Sequence, residues 1–346
     1  MSARRITIDD IARESGASPT TVSLVLRDKP GIGEETRDRV LSAAQALGYQ
    51  RRPPRARRSE ADVRTIALLF RARLRHPAEA TPSVSPFYSW VLTGLEAEAK
   101  AKRMNLLYAT VQVDEHNDAV DLPMHLLDQP LDGILAIGPF RPETLALVAA
   151  DGSRPLVTLD GPASARDRSG VVSDNVEGTA EATRYLIAQG HRGIGLLAPP
   201  EGVNANFDER ARGFRHAMED AGLAWGWGPI NDDVASAVHG LLADFPETTA
   251  IFAVNDAFAL EAIRALERMG KRVPQDVSVM GFDDIDLAAQ LQPGLTTMAI
   301  DKVSMGRLAI ELLDFRFGSP RAANTIITLV PRLMVRDSVA GPGETG

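Results

Sequence analysis

Apolar positions recur at helical spacing through the first fifty residues and in short, dense runs after residue 64. In residues 7–26, Ile8, Ile11 and Ala12 fall on one helical face. Thr7 is placed to cap that helix, with Asp10 returning the second bond of a capping box, and Gly16 closes it as an αL-compatible residue. Ser18 caps a second helix with Pro19 at its first position, and Val22, Val25 and Leu26 form the apolar face. A third helix opens on Glu34 and Glu35, which favour its positive end, carries Val40, Leu41, Ala44 and Leu47 on one side, and ends at Gly48. The expected product is a three-helix headpiece with a core of Ile8, Ile11, Val22, Val25, Leu26, Val40, Leu41 and Leu47. Two short helices about three residues apart have the geometry that places a second helix in a DNA major groove. Two capped helices joined at a glycine also occur in proteins that never touch DNA, so the spacing alone leaves both readings open.

From residue 64 the periodicity changes. Strands are expected at Ile66–Phe70, Asn105–Val111, Gly133–Ile137, Leu156–Leu159, Gly170–Ser173, Gly193–Leu197, Thr249–Val254 and Val277–Phe282. Helical patterns lie between most of them, among them Tyr88–Arg103, Val176–Gln189, Glu209–Ala221, Ala257–Met269 and Lys302–Leu313. Such alternation implies doubly wound parallel sheets. There are more units than one small sheet needs, so two α/β lobes follow, with ligands expected in a crevice at the carboxyl ends of the strands.

Composition sharpens the division. The chain of 346 residues has no cysteine, which excludes disulfides and thiolate catalysis and fits a reducing compartment. No signal-peptide pattern and no long apolar run occur, so a cytoplasmic protein without membrane contact is expected. The net charge of −8 is unevenly spread: residues 1–58 carry 12 Lys/Arg against 7 Asp/Glu, a surplus of +5, and the remainder carries −13. A basic reader on an acidic body fits that asymmetry. Between them, residues 50–65 are polar and proline-bearing, with five arginines within Arg51–Arg58. This segment reads either as a solvated tether or as a phosphate-contacting arm, and its position beside a helix-turn-helix favours the arm. The six histidines do not fall at metal-ligand spacing, and neither a nucleophile elbow nor a phosphate loop is present, so no metal, cofactor or catalytic residue is expected.

Polar residues at strand ends supply candidate ligand contacts. Asp160 follows one strand, Asn255 and Asp256 another, and Asp283 and Asp284 a third, while Arg210 opens a helix near a strand end. Carboxylates, amides and a guanidinium in fixed geometry suit paired hydroxyls. Phe87, Tyr88 and Trp227 are candidate aromatic faces for a pyranose. Asp256 reads more readily as a helix cap than as a ligand contact, Asp284 as structural, and Phe87 has core packing as its plainer alternative.

TIDDIARESGASPTTVSLVL followed by EETRDRVLSAAQALGY resembles the headpiece of the lac repressor (LacI/GalR) family of bacterial transcription regulators. DGILAIGP, PLVTLD, SDNVEGTAEATRYLIAQGHRGIGLL, ERARGFRHAMEDAGL, AIFAVNDAFALEAIRALERMGKRVPQDVSVMGFDDI and PGLTTMAID extend the resemblance into the family's effector core, which is like periplasmic sugar-binding proteins. The resemblance implies a DNA-binding headpiece at residues 1–49, a hinge at 50–63 and a two-lobed core at 64–340. The first lobe would take 64–161 plus 293–321 and the second 162–292 plus 322–340, with chain crossings near Asp160–Pro162, near Asp284–Gln292 and near the C-terminal strand. It also implies effector contacts at Arg210 in R-x-x-G-F, at Asn255, at Asp283 and at Phe87 and Tyr88, with Asp160 as a further match.

On DNA, Thr7, Ser18, Pro19, Thr20, Thr21, Ser23 and Leu24 would face the operator, together with Arg51, Arg52, Arg55 and Arg58. Thr20 suits base edges, and Leu24, where many relatives carry Arg or His, suits a thymine methyl; Thr21 and Ser23 suit phosphate. Three departures from the family stand out. Arg58 falls where relatives carry the leucine that wedges into the minor groove. Ile300 falls where they often carry Gln. The stretch Trp225–Val238 is several residues short. The expected protein is a homodimeric, ligand-responsive regulator, a repressor of sugar uptake or catabolism genes, with double-stranded operator DNA and a small sugar as partners. The alternatives are a purine- or nucleoside-responsive regulator of the same family, a solute-binding protein without DNA function, and a sugar-processing enzyme on the same fold.

Overall fold

Three helices, α1 (Ile8–Ser15), α2 (Pro19–Leu26) and α3 (Glu34–Ala46), form the headpiece in a computed structural model of the chain. The structure describes residues 7–26, 32–47, 63–73, 86–114, 117–149, 154–161 and 168–343, and divides the chain into units 1–62 and 63–346. In the first unit Thr7 and Asp10 form the capping box, and Gly16 adopts φ +65°. Ser18 Oγ accepts from Thr21 N at 3.1 Å. Ile11, Val22, Val25, Leu26, Val40, Ala43 and Ala44 are buried together, with Leu47 packed against them. Leu41, expected in this core, is 45% exposed; Ala43 is buried in its stead, because the buried stripe of α3 runs through Val40, Ala43, Ala44 and Leu47. The end of α3 at Gly48 and the arm at 50–62 lie outside the described residues.

The second unit begins with β1 (Arg64–Arg73), α4 (Pro86–Ala101), β2 (Met104–Val113), β3 (Ala119–Asp121), α5 (Met124–Leu127), β4 (Gly133–Ile137), α6 (Pro142–Val148), β5 (Leu156–Leu159) and β6 (Ser169–Ser173). It continues with α7 (Asn175–Ala188), β7 (Ile194–Ala198), α8 (Ala205–Asp220), β8 (Trp225–Pro229), α9 (Val234–Asp244), β9 (Ala250–Ala253), α10 (Asp256–Arg268), β10 (Ser278–Met280) and α11 (Asp286–Gln290). It closes with β11 (Thr297–Ala299), α12 (Lys302–Gly318), β12 (Ile326–Leu329) and β13 (Arg332–Met334). One sheet has the order β12-β6-β5-β4-β1-β2-β3, the other β10-β9-β7-β8, and β11 pairs with β13. Every pairing in the two larger sheets is parallel except β2 with β3.

Alternation along β1 shows why its sheet is covered on both faces. Ile66, Leu68 and Phe70 join the core beneath α4 and α12, whereas Ala67 and Leu69 join the one beneath α5 and α6. Two helix pairs, α4 with α12 in this lobe and α7 with α8 in the other, meet backbone to backbone. A Cβ on Gly306 of α12 would lie 2.1 Å from the Val91 carbonyl oxygen of α4, and one on Gly213 of α8 would lie 2.1 Å from that of Val176 in α7. Glycine is needed there for close approach, not for conformation.

The lobe boundaries differ from those expected. β6 and β12, assigned from the sequence to the second lobe, complete the first lobe's sheet. The first crossing therefore falls at Asp174, after β6, rather than at Asp160–Pro162. The second falls at Ile300–Asp301 rather than at Asp284–Gln292, because Leu295 sits in the second lobe's core and Gly281 N donates to Thr296 O. The third falls at Val330–Pro331, between β12 and β13. Among the described residues no helix is long and apolar enough to cross a membrane.

Candidate effector cleft and DNA-reading headpiece

Both sheets reverse strand order at one point, between β1 and β4 in the first lobe and between β7 and β9 in the second. Loops leaving adjacent strands in opposite directions open a crevice there. At the second lobe's reversal, Arg210 from α8 is 2% exposed. Its Nη1 lies 2.9 Å from Asp283 Oδ1 and donates to Val254 O at 2.8 Å; its Nε donates to Asn175 Oδ1 at 2.9 Å. The guanidinium also stands 3.9 Å over the Phe282 ring, a cation–π contact in a dry setting. Asn175 in turn donates to Glu209 Oε2 at 2.9 Å. The Nε and Nη1 of Arg210 and its face over Phe282 are all engaged.

The facing wall is built on Asp160 and Tyr88. Tyr88 OH donates to Asp160 Oδ2 at 2.8 Å, and Asn206 Nδ2, from the second lobe, donates to Asp160 Oδ1 at 3.1 Å. Burial pushes the Asp160 carboxyl up to about 7, with the Asp283 charge adding to it and the Tyr88 bond and Arg210 opposing. Burial likewise raises Asp283, against Arg210 and Lys302, and raises Tyr88, aided by Asp160. Asp160, Asp283 and Asp284 take φ of +54°, +110° and +51°, a left-handed region that costs a non-glycine residue about 1–3 kcal/mol and clusters at functional sites. Lys302 Nζ supports the turn by donating to the carbonyls of Asp283 and Asp284 at 2.5 and 2.9 Å. Further bonds join the lobes beside the cleft: Asn117 Nδ2 donates to Gly202 O and Val203 O at 3.2 and 3.0 Å, and Trp90 Nε1 to Asp286 Oδ1 at 3.0 Å.

The structure thus brings together Tyr88, Asp160, Arg210 and Asp283 of the expected set. Phe87 is buried in the core and packs edge-on against Tyr88. Asn255, not Asp256, caps α10: its Oδ1 accepts from Phe258 N at 2.9 Å. Asp256 is instead buried, receiving Ile285 N at 2.8 Å and the Thr297 hydroxyl at 2.5 Å, and burial with the Asp283 charge lifts it to about 8. Asp284 pairs with Arg336 at 2.7 Å, a structural role as expected. Trp227 is 49% exposed on edge strand β8, among Trp225, Asp208, Ala211 and Arg215; the structure does not bring it to the Arg210–Asp283 cluster. Ile300 is buried and packs in the core. Asn175, Asn206 and Arg71 were missed from the sequence. Asn206 was findable, since it lies one helical turn before Arg210 on the same face.

In the headpiece, Ser18 and Pro19 are exposed at the start of α2, and the Thr21 hydroxyl lies 2.8 Å from Ser18 Oγ. The side chains of Thr20, Ser23 and Leu24, and all of Arg51, Arg52, Arg55 and Arg58, lie outside the described residues.

A capped helix-turn-helix on one unit and a two-lobed cleft in the other define a ligand-responsive, DNA-binding regulator. Residues 7–52 match the family described as bacterial regulatory proteins, lacI family, and residues 183–339 match the periplasmic binding protein-like domain. The HTH-type transcriptional repressor PurR of Photobacterium profundum is 32% identical over 347 residues, covering 96% of this chain and 98% of that protein. The ribose operon repressor of Haemophilus influenzae is 30% identical over 344 residues, covering 96% and 98%. Among solved structures, a transcriptional regulator CelR–cellobiose complex matches with TM-score 0.69 and 29% identity, over 96% of this chain and 100% of that one. The lac repressor dimer bound to operator and the anti-inducer ONPF shares the fold, with TM-score 0.65 and 23% identity over 97% and 100%. The chain belongs to the lacI family of bacterial regulatory proteins, and it is a ligand-responsive transcriptional repressor.

Proposed function

We propose that the effector is a sugar or sugar derivative held between the lobes by Arg210, Asp283, Asp160 and Tyr88, and that the regulated genes serve sugar uptake or catabolism. The observation that carries this reading is the buried guanidinium–carboxylate pair facing a second carboxylate across the cleft, a donor and acceptor set suited to vicinal hydroxyls. Binding shifts the population of lobe arrangements and so the operator affinity of a homodimer acting in the cytoplasm. The protein binds its ligand without turning it over. A purine effector is the second reading, favoured by the 32% identity to PurR. It is opposed by Tyr88, whose ring packs edge-on against both Phe70 and Phe87 and whose hydroxyl is committed to Asp160. A thermal-shift screen of sugars, sugar derivatives and nucleobases separates the two, since a specific ligand raises the melting temperature by mass action. Stabilisation by nucleobases alone would overturn the sugar reading.

On DNA, Thr7, Ser18, Pro19, Thr20, Thr21, Ser23 and Leu24 read or position the operator. Arg51, Arg52, Arg55 and Arg58 approach phosphates or a narrow minor groove by charge, without the wedge that kinks DNA. A bending assay should show no sharp central kink. Leu24→Arg should change sequence preference more than total affinity, and identical motifs from site selection with both proteins would refute it.

A further inference from the structure

One charged group in the cleft acts on the network above through its charge, which favours ionised Asp160, and makes no hydrogen bond or ion pair to that residue. Arg71 lies in β1 one residue past its last pairing with β4, Phe70 with Ile137, at the strand-order reversal of the first lobe and beside Gly138, which follows β4. A Cβ on Gly138 would lie 3.3 Å from Tyr88 OH and 3.6 Å from Arg71 Cβ, so the arginine stands against the same wall as Tyr88 and Asp160. Its Nη1 donates to Asn117 Oδ1 at 3.0 Å, and Asn117 Nδ2 reaches across the lobe seam to the carbonyls of Gly202 and Val203 at 3.2 and 3.0 Å. Its Nε is buried and has no hydrogen-bond partner among the described residues.

The other charges near the cleft are accounted for. Arg210 is matched by Asp283, and Asp284 by Arg336. Lys302 is occupied by backbone carbonyls, and Asp160 is shared between Tyr88 and Asn206. Arg71 is held by a neutral amide. A buried guanidinium N–H without an acceptor is costly unless something else supplies one. An arginine fork is also the group best shaped for a carboxylate or phosphate. We propose that Arg71 receives an anionic group of the effector, so that the ligand is a polyhydroxylated acid, a carboxylate- or phosphate-bearing sugar, in preference to its neutral parent. This rests on the cleft being the effector site. It adds the charge of the ligand and the residue that reads it, at a place where Asn117 links that reading to the seam between the lobes.

The test is calorimetric titration of the full-length protein with matched sets: D-glucose, D-glucuronate and D-glucose 6-phosphate; D-galactose, D-galacturonate and D-galactose 6-phosphate; and D-ribose with D-ribose 5-phosphate. Within a set that binds, a charged member should bind at least about tenfold more tightly than the neutral sugar, as a close charge pair requires. The uronate and the phosphate ester show which anion is meant. Arg71→Gln should erase the difference and Arg71→Lys restore part of it, with folding checked by thermal melting. A neutral sugar as the tightest member, or a difference that survives Arg71→Gln, overturns the proposal. Asp283→Asn, which unpairs Arg210, should weaken all members of a set alike. Binding that ignores Asp283→Asn overturns the cleft itself as the site. Binding that respects it but shows no charge preference overturns only the role of Arg71. No binding by any member counts against both.

Discussion

The two walls of the cleft each place an arginine at a strand-order reversal, and they treat it differently. Arg210 is locked by a carboxylate, a carbonyl, an amide and a ring. Among the described residues Arg71 has one hydrogen-bond partner, a neutral amide, and a spare N–H. The second wall is preorganised before any ligand arrives, so its geometry is carried by the protein. On the first wall, a carboxyl near neutrality and a loosely held cation leave the fit to the ligand. Rigidity on one side and adaptability on the other suit a receptor that must bind and then report a change of lobe arrangement.

The contrast can be broken most directly at the arginines. Arg210→Met strands the buried Asp283 and should cost about 3–5 kcal/mol of stability, whereas Arg71→Gln should cost less than about 1 kcal/mol. Urea unfolding with equal losses for both would end the distinction between the walls. Next in size, Gly306→Val and Gly213→Val each force a side chain into a facing carbonyl and should cost about 1–3 kcal/mol or more by overpacking. Thermal unfolding in which either variant matched the parent protein would show that helix pair to be loose. The smallest effect is with pH. Asp160 and Asp256, held at about 7 and about 8, bind protons more tightly folded than unfolded, where a carboxyl titrates near 4. Their destabilising effect is absent below about pH 4, grows as pH rises, and is complete above each folded value. Between pH 7 and pH 8, where Asp256 is the later to ionise, it removes at most about 1.4 kcal/mol. Denaturant midpoints should therefore fall across that interval, and Asp256→Asn should flatten the slope. A rising midpoint would contradict the burial of this carboxyl.

Periodicity made the long elements legible. β1, β4, α7 and α10 lie within a few residues of their expected ends because buried parallel strands and amphipathic helices write strong patterns. Short edge strands do not. β8 is Trp-Gly-Trp-Gly-Pro, three residues each make up β3, β11 and β13, and nothing in such segments separates strand from loop. Lobe membership was hidden for a different reason: a pattern shows that Ser169–Ser173 is a strand but not which sheet it joins. At the site, Arg210 and Asp283 were readable because both residue types are rarely buried without a partner. The capping role slipped by one residue, since Asn255 and Asp256 are equally good caps by composition and only the backbone decides. Arg71 gave no signal, because an arginine at the end of a strand reads as the first residue of a basic loop.

The chain passes between the lobes at Asp174, Ile300–Asp301 and Val330–Pro331, so neither lobe is one continuous stretch. During synthesis on the ribosome, α4 emerges some two hundred residues before α12, whose Gly306 meets the Val91 carbonyl. Until then the face carrying Val91 and Leu95 has no cover, and β6 awaits β12 along its outer edge. The second lobe, nearly contiguous from α7 to β11, is the part able to fold first, and the first lobe is completed only once α12 and β12 have left the exit tunnel. Prematurely terminated chains would therefore carry a finished DNA reader on an unfinished receptor, with an apolar helix face open to chaperones.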